Sequence, residues 1–151
     1  EMEAAKRFLL DLRAALPPMF ESDMRPRDIW AEVDAMIAAS PFDNVHERYP
    51  YCVLGHRVFS VSRSAAKARR IGGGSVGWFS VEANMQFLKT GFSTALSPEN
   101  VGPKLGLWAI EPHIGFVGGG AKFEEILILD HQGARWLDDD VPYVREADRK
   151  E

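Results

Sequence analysis

The chain has 151 residues and a formal net charge of −4, with 46% hydrophobic and 26% charged residues. That length suits one domain with its own core, and the acidic balance argues against a dedicated nucleic-acid binder, which needs clustered Lys and Arg. The single cysteine, Cys52, excludes an internal disulfide and a multi-cysteine zinc site.

His46, His56, His113 and His131 form no HxxxH or HExxH pair, so no metal is expected. No apolar run approaches the length of a membrane span, and no basic-then-apolar signal segment is present. The chain begins at Glu1 rather than Met, as an excised or processed piece would.

In residues 1–16, Ala5, Phe8, Leu9, Leu12, Ala15 and Leu16 recur at intervals of three and four. That is the stripe of an amphipathic helix, and Pro17-Pro18 is expected to end it. A second helix is predicted over 26–39, with Ile29, Trp30, Val33, Met36 and Ile37 on one side and Ser40-Pro41 closing it. Both helices read as scaffold covering one face of a sheet.

After Pro50 the texture changes. Residues 51–54 and 56–61 are rich in β-branched and aromatic side chains and read as strands. A short helix or loop over 64–70 leads to Gly72-Gly73-Gly74, then a strand over 78–81 and a helical turn over 83–89. A turn over 94–100 precedes strands over 105–110 and 114–117. The strongest strand, 126–129, is followed by an Asp130-His131-Gln132-Gly133 turn and a returning strand over 134–137. Asp138-Asp139-Asp140 and the tail from Arg145 are polar and expected to fray. Helices first and short strands afterwards give an α+β domain: a helical scaffold over 1–45, a β-rich core over 46–145 and a polar tail over 146–151.

Chemistry is sought where Gly118-Gly119-Gly120-Ala121-Lys122-Phe123-Glu124-Glu125 runs into that strongest strand. Alternation puts Phe123, Glu125 and Leu127 on one face and Lys122, Glu124 and Ile126 on the other, so one glutamate must point with Leu127. Arg57, among strand residues, suits bidentate contact with a phosphate, or else faces solvent. Trp78-Phe79-Ser80 follows a glycine loop that matches no Walker pattern; it offers aromatic faces and a hydroxyl for a ring and ribose, or simply core.

The order His56-Arg57-Val58, Gly77-Trp78-Phe79-Ser80, Leu96-Ser97-Pro98-Glu99-Asn100 and 116–124 resembles the NAD-cleaving toxin domains at the C-termini of bacterial polymorphic toxins. The nearest pattern is the necrotizing-toxin type of NAD glycohydrolase, with Lys122 at the position of that family's Gln. The chain also resembles the ADP-ribosyltransferase pattern of Arg, Ser-Thr-Ser and Glu-x-Glu. Here Arg57, Phe92-Ser93-Thr94 and Glu125 fall in order, with Ala95 and Phe123 as departures.

The resemblance implies an ADP-ribosyltransferase-like, mainly antiparallel sheet core and NAD+ or NADP+ as substrate. It implies hydrolysis of the nicotinamide–ribose bond or, alternatively, transfer of ADP-ribose to a macromolecule. Glu125, Glu124 and Lys122 would be catalytic; Arg57, Trp78, Phe79, Ser80, Ser93 and Thr94 would bind the dinucleotide. It further implies a secreted or injected effector acting in a target cell's cytoplasm, with a cognate immunity protein as partner. A non-enzymatic binding or immunity module is the rival reading, in which the glycines only make turns.

Overall fold

The computed structural model describes residues 1–49, 52–58 and 94–148. The sequence expectations over 59–93, including the Gly72-Gly73-Gly74 loop and the Trp78-Phe79-Ser80 strand, lie outside the described residues. Two helices lead, α1 (Met2–Glu21) and α2 (Pro26–Ala38), followed by β1 (Asp43–Asn44) and a 3-10 turn at His46–Arg48. Then come β2 (Gly55–Val58), β3 (Ala95–Leu96), β4 (Gly106–Ile110), β5 (His113–Phe116), β6 (Gly119–Lys122), β7 (Glu125–Asp130), β8 (Gly133–Trp136) and a helix, α3 (Pro142–Asp148). All described strand pairs are antiparallel, in one sheet ordered β1-β5-β6 and another ordered β3-β2-β4-β7-β8. The chain is an α+β protein, as the order of helical and strand patterns leads one to expect.

The stripe on α1 buries Ala5, Leu9, Leu12, Leu16 and Phe20 against the larger sheet, where Trp108, Ile110, Leu127 and Trp136 supply the opposing surface. Phe20 meets Trp108 edge-on, with ring centroids 5.8 Å apart. On α2, Ile29, Val33 and Ile37 complete the same core, and the Asp28 carboxylate caps the helix by accepting the Arg25 N–H at 3.0 Å.

Several expectations are corrected. Helix α1 does not stop at Pro17-Pro18 but continues to Glu21. A proline at position 17 removes the N–H that would bond the Arg13 carbonyl one turn back. That carbonyl instead accepts the Trp136 indole N–H at 3.1 Å, so a partner from β8 replaces the missing bond. The Ala14 carbonyl freed by Pro18 lies on an exposed turn, where water can satisfy it.

Residues 52–54 form no strand: Cys52 takes φ 49°, although the Leu54 N–H still reaches the Leu96 carbonyl at 2.9 Å. The Gly118-Gly119-Gly120 run is not one loose turn. Val117 and Gly118, the latter at φ 84°, close a two-residue hairpin loop, and Gly119 and Gly120 belong to β6. Of the tail expected to fray from Arg145, residues 145–148 instead belong to α3, which sets Tyr143 against the core, and 149–151 lie outside the described residues.

At the β7–β8 turn, Gly133 has φ 113°, and a Cβ there would lie 2.5 Å from the Glu21 Oε1. That oxygen accepts the Ala134 N–H at 2.8 Å, which closes one backbone donor on the exposed edge of β8. Gly133→Ala is therefore expected to cost about 1–2 kcal/mol, from left-handed strain plus displacement of Glu21. Urea denaturation checks this. Combining it with Glu21→Ala should leave only the strain, so the two changes together cost less than their sum.

Candidate functional site

Arg57 and Thr94, distant in sequence, meet at one end of the larger sheet. β2 and β3 run antiparallel with His56 opposite Ala95, and one step further the Arg57 N–H donates to the Thr94 carbonyl at 2.7 Å. The Arg57 guanidinium lies over the Trp108 ring, 5.4 Å from its centroid, and donates to the Leu105 carbonyl. Gly106 makes room for it: at φ 129°, a Cβ there would stand 3.0 Å from the Arg57 Nη2. Thr94 is buried.

The register fixes which face these groups use. Arg57 pairs with Trp108, Trp108 with Leu127 and Leu127 with Trp136, while Ile110 pairs with Glu125. Directly paired residues share a face, as do residues two apart along a strand. Arg57 and Glu125 therefore point to the same side, the one covered by α1. Two strand spacings and two residues separate them, about 12 Å between their backbones.

Of the two glutamates, Glu125 is the one that points with Leu127, and what it meets is Arg13. The Arg13 Nε donates to both Glu125 oxygens at 3.1 Å, and its Nη2 donates to Oε2 at 2.9 Å. Arg13 also donates to the Asp138 carbonyl at 3.0 Å and to Asp139 at 3.2 Å, and lies 4.9 Å from the Trp136 ring centroid. The side chains of the pair are only 9% and 12% exposed. Burial works to lower the Arg13 pKa, but Glu125 and Asp139 outweigh it and hold the guanidinium above its ordinary value. The acidic run at 138–140 is thus partly recruited rather than idle.

Glu124 lies outside β7 and is exposed, joined to Lys122 at 3.4 Å; Lys122 also reaches Glu111 at 3.5 Å. Burial lowers the Lys122 pKa, and the two carboxylates raise it further than burial lowers it. Across the hairpin from Lys122 stands His113, whose Nδ1 is 2.5 Å from the Tyr49 hydroxyl. Burial, and then the Lys122 charge, lower the His113 pKa. A groove of about 400 Å³ runs between β6 and the start of α1, lined by Lys6, Leu9, Lys122, Phe123 and Tyr143 among others. Arg57 and Glu125 do not line it.

No family model matches the chain, and comparison with curated proteins and with solved structures finds no match.

The structure therefore brings Arg57 and Thr94 together and sets Glu125 on their face, but encloses Glu125 beneath α1. Lys122 and Glu124 sit apart, at the β6 groove. Trp78, Phe79, Ser80 and Ser93 lie outside the described residues. Among the described residues, no group of three or more His, Cys, Asp or Glu is placed to hold a metal, and no helix is long and apolar enough to cross a membrane.

The turn singled out at 96–100 is held by Asn100, whose side chain donates to the Ala95 carbonyl and accepts the Gly102 N–H at 2.8 Å. The Asn100 carbonyl in turn accepts the Arg27 N–H of α2 at 2.9 Å, so this asparagine fastens the turn to a helix. Sequence reading passed over Arg13. The signal was there: Arg13 falls four residues after Leu9 and three before Leu16, inside the apolar stripe, where a charge requires a buried partner.

Proposed function

We propose that the chain is an NAD(P)+-cleaving domain that hydrolyses the nicotinamide–ribose bond. The observation that carries the reading is the cross-strand meeting of Arg57 with Thr94, with Glu125 on the same face. These are three of the positions that the motif order names: Arg57 on β2, Glu125 on β7, and Thr94 in the turn that leads into β3 of the same sheet. Arg57 holds the pyrophosphate, and Thr94, with Ser80 and Ser93, orients the ribose. Trp78 or Phe79 would pack against nicotinamide.

Breaking the C1′–N bond sends the electron pair to neutral nicotinamide and leaves positive charge on the ribose, an oxocarbenium-like state. A carboxylate nearby stabilises that charge. Water then adds to C1′ and loses a proton to solvent, giving ADP-ribose. Glu125 is the carboxylate on the correct face, with Glu124 as the exposed alternative. Lys122 fixes Glu124. Transfer to a macromolecule differs only in the nucleophile. A secreted effector with a neutralising immunity partner is the biological setting this activity would fit.

A second reading, a non-enzymatic binding or immunity module, is favoured by one contact. Arg13 engages both oxygens of Glu125 and neutralises the charge that cleavage would use.

Pure folded protein incubated with NAD+ separates the two. Release of nicotinamide supports the enzyme, with Arg57→Ala expected to raise KM about tenfold or more while kcat changes little. No release from folded protein, with NADP+ also intact, supports the binding module. Labelled NAD+ with lysate then divides the chemistries: free ADP-ribose marks hydrolysis, and label on macromolecules marks transfer.

A further inference from the structure

We infer that the free edge of β6 is a docking site for an extended, acidic peptide segment, which adds as a fourth strand to the β1-β5-β6 sheet. Among the described residues β6 is an edge strand, bonded on one side only, to β5. In a hairpin closed by two residues, the flanking pair Phe116–Gly119 is the hydrogen-bonded one, and bonded pairs then alternate. Ile114–Ala121 is bonded next, so the N–H and C=O groups of Gly120 and Lys122 turn outward, away from β5. Neither residue's backbone has another partner among the described residues. Gly119 and Gly120 are exposed and carry no side chain to keep a second backbone at a distance.

The groove beside this edge gives the incoming strand somewhere to place its side chains. Its volume of about 400 Å³ is bounded on the far side by Met2 and Leu9 of α1 and by Tyr143 of α3. A strand edge facing a helix across an apolar groove is the arrangement by which sheets accept added strands: backbone bonds give affinity, and alternate side chains enter the groove. Tyr143 lines the groove, and its hydroxyl is buried with no hydrogen-bond partner among the described residues.

The charged residues lining the groove are Lys6 and Lys122, both cationic, which selects acidic side chains on the guest. Their present partners are weak competitors. Lys6–Glu3 at 3.3 Å, Lys122–Glu124 at 3.4 Å and Lys122–Glu111 at 3.5 Å are long contacts involving exposed ammonium groups. Surface pairs of this kind contribute little, and a guest carboxylate exchanges with them at small cost.

The inference does not depend on NAD cleavage. Its test uses the whole chain and a terminally blocked heptapeptide of alternating valine and glutamate, followed by backbone amide NMR. The expected result is shift changes at Gly119, Gly120, Ala121 and Lys122, and in the facing turn of α1. Binding should weaken at least about fivefold for the same peptide with lysine for glutamate, and for a Lys6→Glu, Lys122→Glu protein.

A peptide N-methylated at alternate residues keeps the side chains but loses the bonding edge, and it should not bind. The inference is overturned by equal binding of the N-methylated peptide, by shifts confined to other elements, or by no saturable binding. It is also overturned if the chain self-associates through β6, which would make a second copy the occupant.

Discussion

Arg13→Met is expected to lower the free energy of unfolding by about 3–5 kcal/mol, one of the two largest effects foreseen for this protein. The variant keeps the length and apolar character of the arginine stem but leaves Glu125 buried without its cation. Arg13 and Glu125 are 9% and 12% exposed in their side chains, so water cannot take over the lost bonds. Arg13 also ties α1 to the chain after β8 through the Asp138 carbonyl and Asp139, and these bonds are lost as well. A buried ion pair can be neutral or even unfavourable relative to apolar residues of similar size. Combining Arg13→Met with Glu125→Leu is therefore expected to recover most of the loss. Chemical denaturation of the two single variants and the double variant gives the coupling directly. If the double variant is no more stable than Arg13→Met, the loss comes from stem packing or from the Asp138 and Asp139 bonds, not from an orphaned carboxylate. The same set of variants bears on activity. An NAD+-cleaving chain that keeps turning over after the double substitution does not use Glu125 as its carboxylate.

The second large effect is acid sensitivity through His46. This side chain is fully buried at the 3-10 turn, edge-on to Trp30, with Nδ1 unpartnered among the described residues and Nε2 3.4 Å from the Asn44 amide nitrogen. The Asn44 amide donates, so Nε2 accepts and the neutral ring carries its proton on Nδ1. Burial, and to a lesser degree the His113 charge, push the His46 pKa down from 6.5 to about 4, with Asp34 opposing them. Between those two values the unfolded chain binds a proton that the folded chain refuses, so stability falls as pH drops from about 6.5 to about 4 and levels off below. The expected loss from this group is about 2 kcal/mol between pH 7 and pH 5, approaching about 3 kcal/mol by pH 4. His113, also lowered, adds to the slope in the same direction. His46→Gln should flatten the dependence between pH 7 and pH 5, as measured by denaturation at each pH. NMR titration of the His46 ring near its ordinary value would contradict the assignment.

Much of the scaffold is legible without coordinates because periodicity is local. Leu9, Leu12 and Leu16 mark the buried side of α1. Alternation alone says that Phe123, Glu125 and Leu127 point together, which the core confirms for Phe123 and Leu127. The Asp130–Gly133 turn and the strand returning from it likewise follow from turn chemistry and apolar pattern. Three features do not follow. Nothing near Pro17 announces that Trp136 will supply the hydrogen bond that the proline removes. The glycines at 118–120 read as slack, yet two of them are strand residues because β5 is there to pair with them. Arg57 looks equally suited to an anion or to solvent, and its seat over Trp108 depends on Gly106, far along the chain.

By itself the sequence determines the two leading helices with the buried face of α1, the strands that became β4, β5, β7 and β8, and that a carboxylate from the 124–125 pair must turn inward. Those properties depend on spacing within a few residues, where backbone geometry leaves little choice. Only the tertiary structure decides that this carboxylate meets Arg13 rather than open solvent, that Arg57 meets Thr94, and that β6 has β5 as its one strand neighbour among the described residues. Each of these joins groups remote in sequence, and which remote groups meet is set by how helices and sheets pack, to which no local pattern has access.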